Sequence, residues 1–247
     1  MTTRRLTSSC IAVPPRQSEL WREMFDLFRR HYDDVTPEIF ASDLAEKEHV
    51  IVLRDGDGSV RGFSTVRTFE LVVDDERLRL LYSGDTIIEQ GWWGEQALGR
   101  AWSELAGSIR AQSLLPLYWL LLSKGHRTYL YLPLFFHEFF PRHDAPSPAR
   151  EKAIIDTFAS RKYGRDYDPV KGIVAFAKSP GRLREDLADV GEHRLRNEHV
   201  RFFLTANPAY AAGHELVCLA RLEAENMKLF ARQCFERGLR TLEEVSA

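Results

Sequence analysis

One succession of segments constrains this chain more than any other. The strand-like run RLRLLYSGDTIIE is followed by a break at Gly91-Trp92-Trp93-Gly94, a helical run to about Gln112, and a second apolar run, PLYWLLL. A helical crossover of that length joins strands that run parallel, because an antiparallel neighbour needs only a tight turn. The break also leaves the first N–H groups of the helix without intrahelical partners, and such groups can hold a phosphate or another anion. A parallel pair with an anion-competent turn at its end is therefore the element around which the rest must be arranged.

What precedes it reads differently. HVIVLRDGDGSVRGFSTVRTFELVV is rich in β-branched residues and is split at Asp55-Gly56-Asp57-Gly58, a hairpin signal because these residues tolerate positive φ. A second acidic turn at Asp74-Asp75 leads into the next strand, so an antiparallel meander ends at the parallel pair. Two amphipathic helices come first. SELWREMFDLFRRHYDD has Ser18 as N-cap and Leu20, Met24, Leu27, Phe28 and Tyr32 on one face; TPEIFASDLAEK has Thr36 as cap and Pro37 at the first helical position.

Downstream, HRTYLYLPLFFHEFF reads as an aromatic helix disturbed by Pro133, EKAIIDTFASRKYG as a helix and VKGIVAFAK as a strand. Residues 181 to 206 read as mainly helical, ELVCLARL as a strand, and the tail from Glu223 as a final helix. The fold class expected is α/β, a mixed and mostly antiparallel sheet flanked by helices. Its strands at about 76–89 and 116–122 should be parallel neighbours parted at their C-terminal ends, since Gly84 weakens the first. The expected division is a loose N-terminus (1–17), a main domain (18–180) and a mostly helical extension (181–247), with 215–222 joining the same sheet.

Composition narrows the partners. A formal net charge of −2 gives no global field toward nucleic acid or an anionic membrane. Three cysteines in 247 residues, with no CxxC spacing, favour packing over metal or disulfide chemistry. HEFFPRH lacks the second histidine at i+4 that a helical zinc motif needs. With no signal-peptide run and no apolar stretch of about 18 residues, a cytoplasmic protein without metal is expected.

The order of elements, together with the loop Gly91-Trp92-Trp93-Gly94-Glu95-Gln96-Ala97-Leu98-Gly99, resembles the GNAT superfamily of acyl-coenzyme A dependent N-acyltransferases over roughly residues 18 to 178. That family carries (Gln/Arg)-x-x-Gly-x-(Gly/Ala) between strand and helix, and its backbone amides cradle the coenzyme pyrophosphate. The resemblance implies acetyl-CoA or another acyl-CoA as cofactor. It assigns Gly94, Glu95, Gln96, Ala97 and Gly99 to the phosphates, and Ile87, Ile88 and Glu89 to the pantetheine. The loop departs from the family pattern: Trp93 stands where arginine is usual, the spacing to Gly99 is one residue long unless Ala97 serves instead, and Glu95 places a carboxylate beside the expected diphosphate.

Two stretches carry candidate chemistry. Asp85, in YSGDT, sits in an apolar strand pattern where an aspartate must find a partner or face a cleft, and it suits a general base for an attacking amine. Alternation places it with Ile87 and Glu89, opposite Thr86 and Ile88. After PLYWLLL, Ser123, Lys124, His126, Arg127 and Tyr129 gather at the carboxyl end of a parallel strand, where ligands bind in open sheets. The resemblance implies a tyrosine there that protonates the departing thiolate, with Tyr129 the nearest match and Tyr131 the next; His126 is the alternative titrating group. Trp92, Trp93, Ser123 and Arg127 are expected to contact substrate.

Three functional readings stay open. The first is an N-acyltransferase moving an acyl group from acyl-CoA, or from the pantetheine of an acyl carrier protein, to an amine of a small molecule or protein. The second is a non-catalytic binding or assembly protein in which Trp92 and Trp93 plug the site and the C-terminal helix pairs with a partner. The third is the same scaffold running chemistry without coenzyme A. A homodimer is compatible with all three.

Overall fold

The computed structural model describes residues 5–177 and 181–245, with side chains described as far as residue 240. The chain opens with an edge strand β1 (Thr7–Ala12), then α1 (Glu19–His31), β2 (Tyr32–Asp33) and α2 (Pro37–Ala45). Ser18 and Thr36 cap the two helices as expected, accepting from Trp21 N and Ile39 N. The meander is β3 (His49–Arg54), β4 (Val60–Val73) and β5 (Glu76–Ile88). Its second turn puts Asp74 and Asp75 at φ +48° and +63°, the left-handed pair that closes a two-residue hairpin.

The crossover helix α3 (Ala97–Ala111) leads into β6 (Leu117–Ser123). Then come α4 (His126–Tyr129), α5 (Tyr131–Phe135), α6 (Ala149–Tyr163), β7 (Tyr167–Asp168) and β8 (Ile173–Val174). The last part holds β9 (Arg182–Leu183), α7 (Glu185–Ala188), α8 (Glu198–Ala206), β10 (Glu215–Arg221) and α9 (Leu229–Val245).

Eight strands form one sheet in the order β1-β3-β4-β5-β6-β10-β8-β7, antiparallel at each neighbouring pair except β5 with β6. The central strands are apolar on both faces, as strands covered on both sides must be. In β6, Leu117, Trp119 and Leu121 enter one core with α3, α5 and α9, whereas Tyr118, Leu120 and Leu122 enter another beneath α6. A third cluster joins α1 and α2 to β3, β4 and Ile87.

The parallel pairing runs from Arg79↔Leu117 to Ser83↔Leu121 and stops there, although β5 continues to Ile88. Two features part the strands. Opposite β4, Val66 pairs with Ser83 and Ser64 with Thr86, so Gly84 and Asp85 together face Thr65 in a β-bulge. The bulge resets alternation and puts Tyr82 and Asp85 on the same side. At the last paired residue, the Ser83 hydroxyl accepts from the indole N–H groups of both Trp102 (3.0 Å) and Trp119 (2.9 Å), pinning β5 to α3 and β6 before they diverge.

Several expectations need correction. Residues 7–12 of the supposedly loose N-terminus form β1 and cover the edge of β3. VKGIVAFAK contributes only Ile173–Val174, the aromatic helix ends at Phe135, and the last helix begins at Leu229 rather than near Glu223. Residues 182 and 183 pair with β2 in a small second sheet, so the helical reading of 181–206 misses a strap tying the extension to α1. The C-terminal helix is packed within the chain. A Cβ on Gly107 would lie 2.0 Å from Phe235 O and one on Gly238 1.9 Å from Glu104 O, so α3 and α9 touch backbone to backbone.

Candidate functional site

Where β5 and β6 part, two clefts open on opposite faces of the sheet and meet. Thr86, Thr128 and Tyr32 line both. The meeting point follows from the backbone. Beyond Ser83 the edge of β5 toward β6 has no ladder partner, so its polar groups are free to bond what lies between the strands. The hydroxyls of Thr86 and Ser64, 2.8 Å apart, tie this stretch to β4 instead.

The first cleft has a volume of about 540 Å³ and lies on the α3 face. Ile87, Ile88, Trp93, Gly94, Glu95, Gln96 and Gly99 line it, bringing together most of the residues assigned to a coenzyme. Gly94 takes φ +94° with open space around it, and α3 begins without a side-chain cap, which leaves first-turn amides to other partners. Gly99 also has a packing reason, since a Cβ there would come within 2.9 Å of Phe135. Trp93 donates from its indole to Ile88 O at 2.8 Å and carries the Arg127 guanidinium over its ring at 4.3 Å.

Two arginines, Arg127 and Arg194, and one carboxylate, Glu95, carry the charge of this cleft. Arg127 and Arg194 both line it, and among the described residues neither forms an ion pair with a carboxylate. Arg127 bonds Leu187 O, yet its Nε is buried without a partner. Burial and the neighbouring Arg194 hold its guanidinium below the ordinary value. An arginine pair with no carboxylate at salt-bridge distance, Asp189 acting on Arg127 only from farther off, suits a multiply charged anion beside the amides of a helix start.

The second cleft, about 420 Å³, lies on the opposite face and is lined by Asp85 along with Asp43, Lys124 and Glu215. Gly84 makes room here, for a Cβ would sit 2.5 Å from Lys47 Cε. The Lys47 side chain is 1% exposed and pairs with Asp43 at 2.6 Å. Lys124 pairs with Glu215 at 3.1 Å; burial works against its charge, but Glu215, Tyr32 and Asp85 outweigh it and hold it at about 12. Asp85 is pushed up to about 7, by burial first and the adjacent Asp43 second, with Lys47 and Lys124 opposing.

Other expected site residues are elsewhere. Tyr129 is fully buried, packed among Phe139, Phe202 and Phe203, and donates its hydroxyl to Pro141 O at 2.9 Å; it lines neither cleft. Tyr131, the next match, lines the first cleft, and burial raises it to about 12. His126 is 1% exposed, lowered to about 4 by burial and by Arg127 and Arg194, and faces neither cleft. Ser123 is buried and bonds Gly125 O, and Trp92 belongs to the core, so neither contacts a ligand in these clefts. Glu89 is drawn away by Arg61 (2.8 Å) and Arg30 (3.5 Å), and Ala97 packs against the core.

Sequence reasoning did not find Tyr32, Asp43, Lys47, Thr128, Arg194 or Glu215. They come from six separate elements or loops, and apart from the i,i+4 pair of Asp43 and Lys47 no spacing links them. Among the described residues there is no group of three or more His, Cys, Asp or Glu that could hold a metal, and no helix is long and apolar enough to cross a membrane.

No family model and no curated protein matches the chain. Solved structures do. A conserved protein of unknown function from Enterococcus faecalis V583, titled "Probable N-Acyltransferase", aligns with TM-score 0.40 and 16% identity over 56% of this chain and 33% of its own, so the match spans about a third of that protein. Tetrahymena GCN5 aligns with TM-score 0.40 and 12% identity, over 67% of this chain and 89% of its own. The GNAT family N-acetyltransferase YhbS from Escherichia coli, in complex with CoA, gives TM-score 0.35 and 18% identity over 50% and 67%. The meander, the single parallel pair among the described strands, its parting after a bulge and the glycine-containing loop at the crossover helix make up the mixed, mostly antiparallel sheet flanked by helices expected from the sequence.

Proposed function

We propose that this protein is an N-acyltransferase that receives an acyl-CoA in the first cleft and an amine in the second. The observation that carries the reading is the junction of the two clefts between β5 and β6, at Thr86, Thr128 and Tyr32. Acyl-CoA supplies an acyl group activated as a thioester. Arg127, Arg194 and the amides from Gly94 onward suit its phosphates, and the free edge of β5 suits the amide groups of its pantetheine.

In this reading Asp85 takes the proton from the substrate ammonium, directly or through one water, freeing the amine to attack. A carboxyl held at about 7 is matched to that task at neutral pH. A free N–H on the β5 edge donates to the thioester carbonyl oxygen, where negative charge develops. Tyr131 supplies the proton to the sulfur and regains one from solvent, as the attacking nitrogen sheds its second proton to solvent on collapse to the amide; it replaces Tyr129, whose hydroxyl is committed elsewhere.

The experiment is titration calorimetry with acetyl-CoA and longer acyl-CoAs, followed by amine-dependent release of thiol. Binding with amine-dependent turnover supports the reading. Absence of binding would favour a plugged site, in which the Trp93 and Arg127 stack fills the phosphate position.

A further inference from the structure

The charges around the second cleft define the acceptor, and this deepening rests on the acyltransferase reading above. Three of its carboxylates already have a resident cation: Asp43 holds Lys47 at 2.6 Å, Glu46 holds Lys162 at 2.6 Å and Glu215 holds Lys124 at 3.1 Å. Asp85 is the fourth, and among the described residues it has no such partner at salt-bridge distance. With Asp85 ionised, the cleft therefore sets four carboxylates against three lysines, and the unmatched one lies at the end next to the strand junction.

Between these charged groups the walls carry aromatic rings. Tyr82 and Tyr163 carry Lys162 over their rings at 5.8 and 5.7 Å, Tyr32 carries Lys124 at 5.3 Å, and Phe28, Phe40 and Phe176 also line the cleft. A second substrate cation would find each further carboxylate occupied. A substrate carboxylate would enter a site with excess negative charge, whose lysines are already neutralised. We infer that the acceptor is a primary amine with a single positive charge on an apolar, aromatic-sized body, and not an α-amino acid or a diamine.

Calorimetry on the full chain tests this without requiring turnover, using 2-phenylethylamine, L-phenylalanine and 1,4-diaminobutane. Phenylethylamine should bind at least about tenfold more tightly than either competitor, a difference of about 1.4 kcal/mol. Asp85→Asn, with melting measured in parallel, should remove that advantage. Lys162→Gln, at the rim, leaves Glu46 unmatched and should raise affinity for diaminobutane relative to phenylethylamine. Equal or tighter binding of phenylalanine or diaminobutane by the unaltered protein would overturn the inference, as would no binding of phenylethylamine. Acyl transfer from acyl-CoA to a zwitterionic or peptide amine would overturn it while leaving the acyltransferase reading intact; no acyl-CoA binding at all would instead remove the latter.

Discussion

The two clefts share three residues and differ in almost everything else. The first is mostly apolar, with two arginines that lack carboxylate partners; the second is crowded with carboxylates and lysines in pairs, with one carboxylate left over. A chain with a net charge of only −2 thus separates a positive site from a negative one across the thickness of a sheet. In the proposed function, local fields rather than overall charge would select the ligands. An anionic donor and a cationic acceptor would each be drawn to its own side, and the parted strands are where they can react.

The comparison breaks most visibly at Asp85. Asp85→Asn should lower kcat by about 100-fold or more while leaving acyl-CoA affinity unchanged, the usual scale of lost general-base help. In the unaltered protein, kcat/KM should rise with pH and level off above about 7, as the Asp85 carboxyl loses its proton. A melting temperature and turnover that fall together in the variant would make Asp85 structural.

Next in size is the contrast between two tyrosines. Tyr131→Phe should lower kcat by about tenfold to 100-fold, through loss of the proton donor. Tyr129→Phe should instead cost about 1 kcal/mol of stability, through the lost bond to Pro141 O, with turnover per folded molecule unchanged. Chemical denaturation and steady-state kinetics on both variants distinguish the roles; the opposite pattern would restore Tyr129.

Smaller effects sharpen the picture of the positive cleft. Arg127→Ala should weaken acyl-CoA binding by about tenfold, within the range for a hydrogen bond to a charged group, and leave amine binding alone. Glu95→Gln should tighten acyl-CoA a few-fold by removing a like charge from the same cleft, in a direction that lessens with added salt. Both are read by calorimetry.

Smallest is a change in slope. Folded Asp85 holds its proton up to about pH 7, whereas an unfolded aspartate releases it near pH 4, about the model-peptide value. Between these values the folded state binds more protons, so this residue makes stability fall as pH rises. Denaturation of Asp85→Asn between pH 4 and 7 should show a flatter dependence.

The sequence carried the scaffold well because its signals are local. The Asp-Gly and Asp-Asp turns, the two capped helices and the apolar runs at 116–122 and 215–222 each need only neighbouring residues to be read. Gly84 marked the bulge, Asp85 stood out as an aspartate in an apolar run, and Gly94 was assigned through the family loop pattern. The site as a whole was less legible. Glu215 and Arg194 become functional candidates only where distant segments meet, Lys47 only because the cleft residue Gly84 packs against it, and strap residues 182–183 are too few to leave a periodic pattern. Tyr129 misled for the converse reason. Its position after β6 suits an acid, but a short helix turns it into the core and Tyr131, two residues later, toward the cleft.

The central claim is that donor and acceptor meet between β5 and β6. The most direct test is a crystal structure with coenzyme A and 2-phenylethylamine bound together. The account predicts the thiol in the gap beside Thr86 and Thr128, the phosphates against Arg127 and the Gly94 loop, and the amine nitrogen on the other face within reach of Asp85. Coenzyme A bound outside the gap, or both ligands on one face of the sheet, would contradict it.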